Sequence, residues 1–270
     1  MKKKILVAVA WPYVNGPMHI GHLAGAYIAS DIFARYNRLK GNKVLMVSGS
    51  DMHGTPTAVL AQQEGVQPIE IAERYHARMT KTLESIGASF DLYTKTSTEN
   101  HKEVTQKIFL SLLEKGFIFK GSTLQTYCEH DKQFLPDRFV EGQCPFCDFQ
   151  RARGDQCDNC GRTLDPSDLI NPTCKLCKNK PVERETEHFF LDLPKFSDKL
   201  RDYISAKTYW RANVREFPLS WLREGLKARP VTRDMDYGIP VPVPGYENKV
   251  IYVWFEAVIG YLSASIEWAK

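Results

Sequence analysis

Ile5-Leu6-Val7-Ala8-Val9-Ala10 runs straight into Trp11-Pro12-Tyr13-Val14-Asn15-Gly16-Pro17-Met18-His19-Ile20-Gly21-His22, and this stretch decides the architecture. The first six residues form a continuous apolar run, the pattern of a buried parallel strand. A helical pattern follows from about Gly21, with Leu23, Tyr27, Ile28, Ile32 and Tyr36 expected on one face and Gly41 as its stop. A second buried strand is expected over 43–48. Helices follow over 55–64 and 68–86, then a strand near 90–94 and a helix over 99–115. Strands alternating with helices imply an α/β fold with a doubly wound parallel, Rossmann-like nucleotide-binding sheet.

Residues 119–229 read differently. They hold all seven cysteines, several prolines and short strand-like segments, so an inserted zinc-knuckle module is expected between 1–118 and 230–270. From 230 the first style returns, with an apolar, aromatic strand over 249–255 and a helix over 256–270. No apolar run approaches the ~20 residues that span a bilayer. The basic start, Met1 to Lys4, precedes an apolar stretch too short for a signal peptide. A cytoplasmic protein with no membrane partner is expected. The net charge, 36 − 32 = +4, leans weakly toward an anionic partner such as RNA or ATP.

The cysteines are paired at C-x-x-C spacing, and their odd number argues against a complete disulfide set. Cys144, Cys147, Cys157 and Cys160 form two knuckles separated by nine residues, which suits a closed tetrahedral zinc site. Cys174 and Cys177 form a third knuckle. Cys128 and His130 would complete a second site with them; Asp131 is an alternative last ligand, and a cross-braced pairing of knuckles remains open. Both sites look closed and therefore structural, without the open position of hydrolytic zinc.

The turn after the first strand lies at the carboxyl edge of the sheet, where such folds bind ligands. It contains neither of the Gly-rich phosphate loops. It offers instead His19 and His22 at a helix start, three residues apart and so on one side of the first turn. Free N–H groups and the helix dipole favour an anion there, and two imidazoles add donors for phosphate.

His19-Ile20-Gly21-His22 resembles the His-Ile-Gly-His signature of class I aminoacyl-tRNA synthetases. Asp51-x-His53-Gly54-Thr55-Pro56, Phe134-Leu135-Pro136-Asp137-Arg138-Phe139, Glu187-His188-Phe189-Phe190 and the segment from Tyr252 to Tyr261 narrow the resemblance to the methionyl-tRNA synthetases of the two-zinc type, over the whole chain. The resemblance implies a ligase that activates methionine with ATP and Mg2+ to methionyl-adenylate and transfers it to tRNA(Met). It implies that His19 and His22 hold phosphates, that Asp51 binds the substrate ammonium, and that Arg233 orients that carboxylate. The family's methionine pocket maps onto Ala10, Trp11, Tyr13, Trp254, Ala257, Val258 and Tyr261. Three positions depart from the commoner family residues: Trp11 stands for leucine, Glu256 for aspartate, and Val258 for another small residue.

No Lys-rich loop resembling the family's K-M-S-K-S occurs, nor its helical anticodon-reading domain, so an incomplete catalytic fragment is expected. Synthetases for leucine, isoleucine and valine share the histidine signature but need a much larger insertion than the 119–229 module. A non-catalytic zinc-knuckle RNA-binding module, or an accessory fragment, is the alternative reading; it leaves His19, His22 and Asp51 unused.

Overall fold

A computed structural model describes residues 2–270. The chain divides into two compact units, one running to Phe109 and resuming over Asp236–Lys270, the other spanning Leu110–Met235.

The first unit opens with strand β1 (Lys4–Ala8), then a short α1 (Ile20–His22), a single π-helical turn (Leu23–Tyr27) and α2 (Ile28–Leu39). Strand β2 (Lys43–Ser50), helices α3 (Thr55–Glu64) and α4 (Pro68–Ser85), β3 (Leu92–Lys95) and α5 (Glu99–Glu114) follow. The sheet order is β1-β2-β3, and both pairings are parallel. That is one half of a doubly wound sheet. The expected elements lie within one or two residues of those observed, because Gly41, Gly65 and Gly87 take left-handed conformations at or just beyond the helix ends.

Two expectations are corrected here. β1 pairs on one side only among the described residues and alternates in exposure, with Leu6 exposed, so it is an edge and not a strand buried on both faces. The helical face also differs. Tyr27 and Ala34 are buried with Val9, Met46 and Leu83, and Leu23 packs against them, whereas Ile28, Ile32 and Tyr36 are exposed. At about 100° per residue these three stand roughly 140–220° round from Leu23. The apolar residues therefore form two stripes, of which one faces the core.

In the second unit β4 (Ile118–Cys128) pairs antiparallel with a later strand over ten residues, from Ile118 opposite Leu191 to Tyr127 opposite Val182. Between them lie β5 (Gln133–Phe134), β6 (Val140–Gln143), β7 (Ala152–Arg153) and β8 (Ile170–Cys174), and the partner itself is β9 (Val182–Leu191). Helices α6 (Ser197–Ser205) and α7 (Ala212–Glu224) and the short β10 (Arg229–Pro230) and β11 (Thr232–Arg233) complete it. One sheet has the order β10-β9-β4-β5 and another β7-β6-β8. The compact unit begins at Leu110 and ends at Met235, against the 119–229 read from composition.

The first unit resumes with β12 (Val250–Ile251) and α8 (Val253–Ala269). The expected strand over 249–255 is thus cut to two residues. Tyr252 stays extended as N-cap, and its carbonyl already accepts from the amides of Phe255 and Glu256. The aromatic run that reads as a strand is the first turn of a helix whose buried face is Val253, Glu256, Ile259, Gly260, Ser263 and Ala264. None of the described helices is long and apolar enough to cross a membrane.

Phe109 of α5 is fully buried and meets Phe255 of α8 edge to face at 6.3 Å. Phe109→Ala removes this ring and leaves a cavity. It should destabilise the protein by about 3–5 kcal/mol, read as a lower urea midpoint at unchanged slope.

Candidate active site and metal centres

His19 and His22 cap their own helix. The Gly21 amide donates to Nδ1 of His19 at 3.1 Å, and the His19 amide donates to Nδ1 of His22 at 3.3 Å. The two rings stack with centroids 3.8 Å apart. A Cβ on Gly21 would sit 3.0 Å from the His19 ring, so glycine lets that ring fold over the helix end. Because both Nδ1 atoms accept, each neutral ring carries its proton on Nε2. Partial burial and the neighbouring His19 lower the His22 pKa, which favours that neutral form. The pair is thus two fixed N–H donors beside a helix N-terminus, an arrangement that can bind phosphate oxygens.

The strand pairing continues past β1 and β2. The Asp51 amide donates to the Pro12 carbonyl at 2.8 Å, and Tyr13 bridges to Asp51 in parallel register. Asp51 is 4% exposed and its Oδ1 has no hydrogen-bond partner among the described residues. Burial, then repulsion from Glu256, push its carboxyl well above the usual range, against a backbone N–H of His53.

Tyr13, bridged to Asp51, and the neighbouring Trp11 each meet an aromatic ring of α8. Trp11 meets Tyr261 edge to face at 6.3 Å, and Tyr13 meets Trp254 in the same way at 6.3 Å. Trp254, Ala257, Val258 and Tyr261 follow i, i+3, i+4, i+7 spacing and share one stripe of α8. Trp254 and Val258 are exposed on that stripe; Ala257 and Tyr261 are half-buried. The carbonyl of Ala10 is held by the Tyr27 hydroxyl at 3.1 Å and by Ser48 Oγ at 3.3 Å. A buried carboxylate with one unpartnered oxygen, near apolar rings, can take an ammonium group whose side chain is apolar.

Arg233 lies on β11 of the second unit, where its guanidinium donates to the carbonyls of Pro230 at 3.1 Å and Thr232 at 2.8 Å. Its charge lowers the pKa of Asp137, offsetting part of the desolvation that raises it. Nearby, buried His188 places Nε2 3.1 Å from Asp234 and Nδ1 2.9 Å from Thr232 Oγ1.

The second unit gathers two ligand groups. Cys144, Cys147, Cys157 and Cys160 bring their sulfurs within 4.8 Å of one another, with Cys147 to Cys157 at 3.6 Å and Cys144 to Cys160 at 3.9 Å. Tetrahedral zinc with bonds of about 2.3 Å holds its sulfurs about 3.8 Å apart, so the four thiols fit. The other group is Cys128, Asp131, Cys174 and Cys177. Asp131 Oδ2 stands 3.2 Å from Cys128 Sγ and 3.1 Å from Cys174 Sγ. Asp131, the alternative fourth group, and not His130, is the one gathered with these three thiols. The Asp131 amide turns back onto Cys128 Sγ at 3.4 Å, which closes a C-x-x-D knuckle and leaves the His130 side chain 66% exposed. His130 Nδ1 instead meets the other Asp131 oxygen at 3.0 Å, the position of an outer partner to a ligating carboxylate.

A family model for class I tRNA synthetases (M) matches residues 5–270. The chain belongs to the class I tRNA synthetases. It is 61% identical over its whole length to the methionine–tRNA ligase of Thermomicrobium roseum, covering 46% of that protein. It is 57% identical to that of Dehalococcoides mccartyi, covering 49%. The chain therefore spans about half the length of the curated relatives it matches. A crystal structure of Mycobacterium tuberculosis methionyl-tRNA synthetase bound by methionyl-adenylate matches its fold at 23% identity and a TM-score of 0.72, over 98% of this chain and 47% of that one.

Three further side chains of this class I synthetase chain escaped the sequence reading of the site. Glu256 is fully buried, with Oε1 2.8 Å from His53 Nδ1 and Oε2 2.9 Å from His101 Nε2. Glu256 stood out only as a departure from aspartate, His53 only as part of a motif. His101 carried no signal, since a lone histidine in a helix reads as packing.

Asp51 titrates with a sign that can be tested. Its folded pKa lies above the ordinary 3.8, so the folded state holds the proton more tightly than the unfolded chain. Ionisation then costs stability as pH rises from 3.8 through the folded value. Asp51→Asn should raise Tm by a few degrees at neutral pH, and the gain should vanish once both states are protonated, below 3.8. Thermal melts across pH check this.

Proposed function

We propose that this chain is the amino-terminal catalytic portion of a methionine–tRNA ligase. The observation that carries the reading is Asp51: a buried carboxylate with an unpartnered oxygen, set among Trp11, Tyr13, Trp254 and Tyr261 and bonded to the turn that leads to His19 and His22. Asp51 takes the ammonium of methionine, and the rings and Ala257 take the thioether side chain. Sulfur–aromatic contacts of this kind contribute roughly 0.3–1.5 kcal/mol each. Val258 lines the outer end of the same stripe, and the Ala10 main chain borders the pocket floor. The relatives' name, methionine–tRNA ligase, points to the same substrate.

The substrate carboxylate oxygen attacks the α-phosphorus of ATP, which enters with Mg2+. The bond from that phosphorus to the bridging oxygen breaks, and pyrophosphate leaves with the electron pair. A hydroxyl of the terminal adenosine of tRNA(Met) then attacks the mixed anhydride, and AMP leaves. No covalent enzyme intermediate forms. The chain supplies positioning and charge stabilisation, with the Nε2–H groups of His19 and His22 donating to phosphate oxygens.

In the complete protein, ATP–pyrophosphate exchange should depend on methionine. His19→Ala or His22→Ala should lower its kcat by about 10²–10³ while methionine affinity stays unchanged. Absence of methionine-dependent exchange would favour the non-catalytic RNA-binding reading. This chain by itself should bind methionine in a calorimetric titration but fail to charge tRNA.

Both cysteine groups hold zinc, and both sites are closed and structural: Cys144, Cys147, Cys157 and Cys160 in one, Cys128, Asp131, Cys174 and Cys177 in the other. Elemental analysis should find two zinc ions per chain, falling to one in Asp131→Ala and staying at two in His130→Ala. Loss of a zinc in His130→Ala alone would return the fourth ligand to histidine.

A further inference from the structure

A fully buried carboxylate on the apolar face of a helix is costly unless it is paired and hydrogen-bonded. Glu256 stands in the first turn of α8 and is 0% exposed. Each oxygen meets an imidazole from a different element. His53 comes from the segment between β2 and α3, at 2.8 Å, and His101 from α5, at 2.9 Å. A carboxylate only accepts, so each facing nitrogen carries a proton.

Both imidazoles are themselves held. His101 Nδ1 is 2.7 Å from Ser263 Oγ, two turns further along α8, and Asn100 donates to the Ser263 carbonyl at 2.9 Å. The His53 ring packs edge to face on Tyr237 at 5.2 Å, whose hydroxyl donates to the Met52 carbonyl at 3.0 Å. One carboxylate thus joins two elements to α8.

Packing alone leaves a helix free to roll by a few degrees, whereas two directional hydrogen bonds fix its rotation. Glu256 lies next to Ala257 and two residues from Trp254, which belong to the stripe that meets Trp11 and Tyr13. The Trp11 ring is boxed by the same parts. It lies 6.4 Å from His101, and Cβ atoms built on Gly49 and Gly260 would fall 2.5 and 3.1 Å from it. Any roll of α8 or shift of α5 is therefore passed to the rings opposite Asp51.

We propose that Glu256, bridging His53 and His101, is a positioning residue that sets the amino-acid pocket by locking α8 to α5 and to the Asp51 turn. The proposal rests on the methionine-activating reading above. It assigns Glu256, His53 and His101 no contact with substrate.

The test is steady-state ATP–pyrophosphate exchange with the complete protein, resolving KM for methionine from KM for ATP. Glu256→Gln keeps the shape but sets an amide N–H₂ against one imidazole N–H, and an unsatisfied buried pair of this kind is worth about tenfold or more. Methionine KM should rise by about that factor while ATP KM stays within about twofold. Glu256→Asp, able to hold one histidine at a time, should fall between Glu256→Gln and wild type. Leu83→Ala, a core truncation elsewhere in the same unit, should lower Tm and leave both KM values in place. If Glu256→Gln does not fold, Ser263→Ala decides: losing the hydroxyl behind His101 should raise methionine KM several-fold and leave ATP KM alone. Methionine KM unmoved in a folded variant, or both KM values rising together, overturns the proposal. A wild-type enzyme without methionine-dependent exchange instead sinks the functional reading on which it rests.

Discussion

The hydrogen bond from the Asp51 amide to the Pro12 carbonyl is one contact on which the rest of the site depends. It ties together, past the end of the β1–β2 pairing, what would otherwise be two independent loops. One loop leads to the histidine-capped helix and the other to His53 and α3. A loop of ten or so residues closed by its own entropy would wander by several ångströms. Tied to a parallel ladder at its root, it delivers Tyr13 beside Asp51 in fixed register. The Tyr27 hydroxyl and Ser48 then clamp the Ala10 carbonyl just behind.

Two buried carboxylates in the same unit have opposite fates. Glu256 has both oxygens on imidazoles, and His53, through its charge, and His101, through its hydrogen bond, outweigh burial and lower its pKa. Asp51 has no such partner, and burial together with the negative Glu256 raises its pKa well above normal. A group that the fold leaves unpaired at this cost is a place where a cationic ligand gains the most. The histidines thus satisfy Glu256 and leave one oxygen of Asp51 without a partner among the described residues. That choice destabilises the free protein, as functional sites commonly do.

Much of this was legible in the sequence because the signals were local. Alternating periodicities and terminal glycines delimit β1 to α5, and C-x-x-C spacing alone marks the knuckles. What was missed depends on three-dimensional neighbours. The outward stripe of Ile28, Ile32 and Tyr36 is as apolar as the inward one of Leu23, Tyr27 and Ala34, so composition does not say which faces the core. Val253 to Phe255 are strand-forming residues that a helix absorbs because Tyr252 caps it. His130 and Asp131 are adjacent, and only the turn of the knuckle decides which side chain points inward. His101 and Glu256 are 155 residues apart, and no local pattern connects them.

The two units solve the problem of stability differently, and this explains why their sequences look so unlike. The first buries whole faces of helices against a parallel sheet, with Met46, Tyr27 and Phe109 fully enclosed. The knuckle region of the second has strands of two to five residues, too short to enclose a comparable core. Its most buried side chains include Cys128, Cys144, Cys157 and Cys174, each fully enclosed. Clustered thiols contribute little as apolar groups. Once deprotonated and bridged by a metal they can supply roughly 10–16 kcal/mol in small zinc domains, and that binding energy is folding energy. A metal held as proposed would therefore supply the knuckles with folding energy, whereas the first unit folds by packing.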